Sequence, residues 1–285
     1  MPSAVAIPSW TPQPDVWIIV GLFAALYYIA IVRLGPTHAT PGLPVVTRFQ
    51  VTCWSLGVFA LWLASDWPID VVGERLNFSV HMVQHIFFLL FVAPFLLLGT
   101  PAWLARWILQ PRLLFRSARF LGRFWPALAF YSVAMAFVHW PVIMNASLRH
   151  EPIHLMAHTV MLVSSIVVWM PVLSPLPEIP RLVPAIRMVY VFSWSLVPLV
   201  IATVLIFSTT PVYTFYVNRP HLFGLSTVDD QRIGGVLMQL PAGLLLWLVI
   251  AIIFFKWAAD EERVNVPSHG LEALDRELTE MGLRR

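Results

Sequence analysis

The stretch from Gln231 to Lys256 reads QRIGGVLMQLPAGLLLWLVIAIIFFK, and between Arg232 and Lys256 it holds no Asp, Glu, Lys or Arg. A helix needs about 20 mainly apolar residues to cross the hydrocarbon core of a bilayer. This run has the length, and it is apolar on every face, which suits lipid and not a water-facing surface. Working outward from it, six more stretches share its character: 16–34, 48–66, 77–98, 124–143, 152–173 and 185–209, none with a charge in its interior. The expectation is an all-α polytopic membrane protein, a bundle of seven transmembrane helices filling residues 1–257. Pro94, Pro198 and Pro241 fall inside spans, where neighbouring helices can satisfy the freed carbonyls, so kinks are expected there and not breaks. Pro152 stands at the start of the fifth span, the tolerated first-turn position. Trp17, Trp67, Trp103, Trp107, Trp125, Trp140 and Trp257 gather near the span ends, as interfacial aromatics do.

Composition agrees. The chain has 285 residues, 59% of them hydrophobic and 12% charged, with a mean hydropathy of +0.77. A soluble domain carries about 25% charged residues. The net charge of +3 makes no case for a nucleic-acid partner. Cys53 is the single cysteine, which excludes an intrachain disulfide and any CxxC pair, so a metal would be held by His, Met, carboxylate or backbone. Met1–Val16 has no Lys or Arg and thus no basic leader region, so the first apolar run is expected to be retained as a span.

Orientation follows from the basic residues. Of the 18 Lys and Arg, only Arg75, Arg149, Arg219 and Arg232 lie in the even-numbered loops, and none precedes the first span. The others lie in the odd-numbered loops and the tail, which places the N-terminus outside and the C-terminus inside. On the inner side, residues 101–124 carry Arg112, Arg116, Arg119 and Arg123 on one helical face beside Leu114, Phe115, Ala118 and Leu121, the pattern of a helix lying on anionic headgroups. The cytoplasmic tail, 258–285, repeats the theme with Leu271, Leu274, Leu278 and Met281, read as a short amphipathic helix.

The histidines carry the chemistry. His38 and His269 fall on the inner side; His81, His85, His139, His150, His154, His158 and His221 all map to the outer half or the loops above it. His81-Met82-Val83-Gln84-His85 and His154-Leu155-Met156-Ala157-His158 each put two imidazoles on one helix face, i to i+4, at matched depth on two inward-running spans. His139 arrives at that level from the fourth span. Asp66, Asp230 and, two turns further down, Met238 approach the same layer. Ionisable groups inside a membrane are costly and usually functional. His81, His85, His154 and His158 are therefore the principal metal-ligand candidates, with His139 next and His150, Asp66, Asp230 and Met238 as further candidates. A His site without thiolate suits copper and leaves zinc and a His-ligated haem open. There is no Ser/His/Asp set, phosphate loop or general-acid pair, so no enzymatic activity is expected.

At these residues the chain resembles the polytopic CtaG-like family of bacterial caa-type cytochrome c oxidase assembly factors. The resemblance rests on His81-Met82-Val83-Gln84-His85 through Val92-Ala93-Pro94 to Leu98-Gly99-Thr100-Pro101; on His139-Trp140-Pro141, His154, His158 and Trp169-Met170-Pro171-Val172-Leu173; and on Asp230-Gln231, Gly234-Gly235 and Met238. Gln239 departs from the tryptophan that often follows this methionine. The resemblance implies a multi-pass protein of the bacterial cytoplasmic membrane that helps mature the oxidase and supplies copper to its metal centres. Its partners would be oxidase subunits, the lipid bilayer and extracytoplasmic copper carriers. Two other classes stay open from the residues: a His-ligated haem electron carrier, and a membrane metalloenzyme acting on a lipid or quinone.

Overall fold

The computed structural model describes residues 7–281 and 283, and the side chains of 223 and 264–272 lie outside that description. His269, Leu271, Arg284 and Arg285 of the sequence reading therefore fall outside the described side chains. The chain forms α1 (Pro14–His38), α2 (Arg48–Ser65), α3 (Ile69–Arg75), α4 (Phe78–Gly99), α5 (Ala102–Ile108), α6 (Arg112–Leu121), α7 (Phe124–Val138), α8 (Pro141–Ser147), α9 (Glu151–Leu173), α10 (Pro184–Phe207) and α11 (Thr227–Glu280), with no strand among the described residues. The segments Pro14–His38, Arg48–Arg75, Phe78–Gly99, Glu151–Leu173, Pro184–Phe207 and Thr227–Arg263 are long and apolar enough to cross a membrane. A seventh follows if α6 and α7, bent by 92°, count as one broken span. Exposed apolar side chains such as Leu26, Val200, Val204, Phe207, Leu244 and Trp247 cover the flanks of these helices. A multi-pass membrane protein results, since water would not tolerate so broad an apolar exterior.

Three elements differ from the sequence expectation. α7 has 15 residues, about 22 Å at 1.5 Å per residue, and stops short of the expected 124–143. Trp140 precedes Pro141, which disfavours helical backbone, and Trp140 is extended at φ −63°, ψ 129°. Residues 69–75, read as loop, form the extra helix α3. The tail is no separate short helix: α11 runs for 54 residues, through Ala258-Ala259-Asp260-Glu261-Glu262 and past Pro267 and Gly270. Leu274 and Met281 are exposed, so these side chains do not pack under the bundle. The basic helix is present as α6, with Phe115 and Ala118 packed against Ala105, Met170, Leu176 and Ile179 while Leu113, Leu114 and Phe120 stay exposed.

The core is organised around α4, which packs on α2, α3, α9 and α11. Two local features fix its path. Pro94 has no N–H to give, and the preceding turn, Phe88–Val92, widens to a π-turn in which Ala93 N–H bonds Phe88 O. In that register Pro94 would have served Leu89 O, and Trp169 Nε1 of α9 donates to that carbonyl instead, at 2.6 Å. Close approach does the rest. A Cβ on Gly73 would stand 3.0 Å from both the N and Cα of His81, and one on Gly234 would meet the Phe78 ring. The small residues thus let α3 and α11 lie directly against the histidine-bearing turn of α4. Gly235 faces the other way, toward Ala202 and Leu205 of α10.

Candidate metal centre

α4 begins at Phe78, and its first free N–H groups need an acceptor. That acceptor comes from α11. Asp230, fully buried, accepts from Phe78 N at 2.6 Å, Ser79 Oγ at 2.5 Å, Asn77 Nδ2 at 2.9 Å and Ser79 N at 3.4 Å. A carboxylate at a helix N-terminus is favourable on charge grounds as well. The first turn of α4 is therefore held in place, and His81 and His85 follow from it on one face, 1% and 6% exposed.

Opposite them α9 presents His154 and His158. The ring centres stand 4.5 Å apart for His81–His85, 5.6 Å for His81–His158 and 5.7 Å for His85–His158. An ion about 2.0 Å from an imidazole nitrogen lies about 3 Å from the ring centre, so three rings around one ion stand about 5 Å apart. One nitrogen from each of His81, His85 and His158 falls within 4.8 Å of the others. The Nδ1 atoms of His81 and His85 are buried and make no hydrogen bond. Buried polar atoms are normally paired, and here the missing partners and the convergent nitrogens fit a metal ion held by three imidazoles.

His154 belongs to a different group. Its Nδ1 stands 2.5 Å from Glu74 Oε1 of α3, and with Glu151 these residues form a second set of candidate ligand atoms within 4.8 Å of one another. Its Nε2 lies 2.9 Å from His158 Nε2, so the ring touches both groups. His139 sits beside the first group, 5.3 Å from the His85 ring centre. Its Nδ1 donates to Met135 O at 2.9 Å, which leaves the buried Nε2 without a partner. Below His85 and His139 lies a small cavity of about 30 Å³ with Met82, Met135, Met161 and Met238 in its lining.

Of the remaining candidates, Met238 reaches that cavity and does not join the three imidazoles. Asp230 is the cap of α4, and His221 Nε2 stands 4.0 Å from it, beyond hydrogen-bond reach. Asp66 is engaged elsewhere: it accepts from Trp17 Nε1 at 2.8 Å, Trp62 Nε1 at 2.7 Å and Trp67 N at 2.7 Å, tying α1 to α2. His150 is exposed at the N-cap of α9 and joins neither group. Sequence reasoning missed Asp70 and Glu74, because α3 reads as loop, and Glu151 and Gln84, which no spacing signal marks.

The 209–226 segment closes this end of the bundle. Tyr213 Oη donates to His139 O at 3.0 Å and Tyr216 Oη to Gly73 O at 2.7 Å. Burial pushes both phenols above their ordinary range, so they serve as neutral donors. Gln231 ties the same segment to α11, accepting from Val212 N and Tyr213 N and donating to Tyr213 O.

No curated protein and no solved structure matches the chain. The family profile described as cytochrome c oxidase caa3 assembly factor matches residues 25–260, a range that contains the capped helix α4, both groups of candidate ligands and the methionine-lined cavity. A multi-pass helical chain matched over that range belongs to the family of cytochrome c oxidase caa3 assembly factors.

Proposed function

We propose that this assembly factor binds copper at His81, His85 and His158 and hands it to an oxidase subunit. The observation that carries the reading is the convergence of those three imidazoles from two helices, with the Nδ1 atoms of His81 and His85 unpaired in a buried site. The donor set supports copper. Three neutral imidazoles without thiolate suit it, and thioethers of Met82, Met135, Met161 and Met238 line the space beneath, where soft donors favour the monovalent ion. His139 orients toward the same space with its Nδ1 fixed on a backbone carbonyl, the arrangement that sets a ligand histidine's tautomer.

In this reading the chain spans the cytoplasmic membrane of a bacterium seven times, α7 being the short fourth span. The N-terminus is outside and the C-terminus inside, as the distribution of Lys and Arg directs. The three imidazoles then face the outer leaflet, where copper from an extracytoplasmic carrier would arrive. The role is delivery and not catalysis. Copper is cargo, and the protein's own groups bind it, keep water from it and set its coordination. A haem with two axial imidazoles would need a planar slot between them, and the 4.5–5.7 Å spacing of these ring centres favours a single ion instead.

Copper loading of the detergent-purified chain tests the proposal. Wild type takes up one tightly held equivalent, is colourless in its reduced form and shows no Soret band. The double variant His81→Ala/His85→Ala loses that equivalent and fails to support oxidase maturation. Equal copper content in the two proteins would overturn the assignment.

A further inference from the structure

The imidazoles of His81 and His85 are sealed from both water and lipid, so an ion must reach them past some other group. One polar route leads outward. α3 carries Asp70 and Glu74 one turn apart, and α9 opens with Glu151 and His154. Glu151 is exposed, the Glu74 side chain is 26% exposed and that of His154 only 6% exposed. The three polar groups thus grade from open to buried while their ligand atoms stay within 4.8 Å of one another. Among the described residues, no Lys or Arg pairs with Asp70, Glu74 or Glu151. Glu74 pairs instead with the imidazole of His154.

A second observation lies beside Asp70. Gln84 is fully buried on α4, between His81 and His85 in sequence, and its Nε2 donates to Asp70 Oδ1 at 2.7 Å. The amide's fixed geometry keeps Oε1 beside that contact, yet Oε1 is buried and has no hydrogen-bond partner. A buried acceptor left unpaired beside a carboxylate is costly unless a cation or water uses it.

We infer that Glu74, Glu151 and His154 form a second, outer site for a first-row transition-metal cation, through which the ion passes to His81, His85 and His158. The donors fit the sequence of events. Carboxylate oxygens accept a cation that still carries water, whereas imidazoles and thioethers take a dehydrated, softer one. His154 is the shared step. One ring nitrogen faces Glu74 and the other lies 2.9 Å from His158 Nε2. A ring turning about its side-chain bonds can release the ion on one side and present it on the other. Asp70 holds Gln84 in place. The inference rests on the copper reading of the inner imidazoles, and adds to it a port of defined composition.

Stopped-flow transfer of copper(I) from a chromophoric chelator to the full-length purified protein tests it. A port lies on the path in both directions, so Glu74→Gln/Glu151→Gln should slow loading and competitor-driven release together, by about tenfold, the lower end of electrostatic steering effects. Its rates should also lose most of their dependence on salt. Glu151→Gln alone removes only an exposed charge and guards against a folding defect; a several-fold slowing is expected from it. Loading and release at wild-type rates in both variants would overturn the port while leaving the inner site standing. Failure of wild type to load any copper would remove both.

Discussion

Truncation of Asp230 is the most informative perturbation of the scaffold. This carboxylate reaches 153 residues back in sequence to cap the helix that carries His81 and His85. Asp230→Ala leaves four donors without an acceptor in a site with no solvent exposure: Asn77 Nδ2, Phe78 N, Ser79 N and Ser79 Oγ. Each orphaned buried donor costs about 1–3 kcal/mol, and such losses are not additive because water can enter the space vacated by the carboxylate. The expected destabilisation is about 3–5 kcal/mol, in the range that marks loss of a buried network. Asp230→Asn preserves shape and one acceptor oxygen, and should cost only about 1–2 kcal/mol through the lost charge at the helix terminus. Thermal unfolding in detergent, read by size-exclusion recovery, gives the order wild type, Asn, Ala. Copper content should fall in the same order, because His81 lies on the first turn that the cap holds. An Ala variant with wild-type stability and wild-type copper would refute the claim that this contact positions the imidazoles.

Two further outcomes are expected. Gly73→Ala places a Cβ 3.0 Å from the backbone of His81, and backbone cannot swing aside as a flexible side chain would, so α3 and α4 must part by a few tenths of an ångström. The cost is about 1–3 kcal/mol of stability, with copper affinity weakened by about tenfold from misplacement of one ligand, measured by chelator competition; unchanged affinity would show that the helices do not need this contact. For topology, a cytoplasm-dependent reporter fused at the C-terminus should be active and one fused in the Arg149 loop silent. The reverse pattern would contradict the orientation read from Lys and Arg.

Much of the architecture is legible in local sequence because lipid imposes simple demands. Uncharged runs of helix length must span, and pairs four residues apart must share a face. Those two rules find α4 and α9 and put four imidazoles at one depth. They do not say which nitrogen meets which neighbour. His154 and His158 lie on one face, yet the outer ring turns to Glu74 while the inner one meets His81 and His85. That division depends on α3, whose seven residues follow Pro68 and carry two carboxylates and Arg75, so they read as a surface loop. Aspartates at span ends were equally ambiguous. Asp66 and Asp230 look alike in sequence, but one binds two indoles and the other caps a helix from a distant part of the chain. The expected fourth span, α7, falls short for a local reason that the sequence does contain, the proline after Trp140. The tail's continuity with α11 is harder to read, since amphipathic spacing alone does not distinguish a new helix from the end of an old one.

The central claim is that three imidazoles share one ion, and X-ray absorption on the singly copper(I)-loaded protein addresses it most directly. A first shell of three imidazole nitrogens at about 2.0 Å is predicted, collapsing in His158→Ala. A shell dominated by sulfur or carboxylate oxygen, unaltered by that substitution, would contradict it.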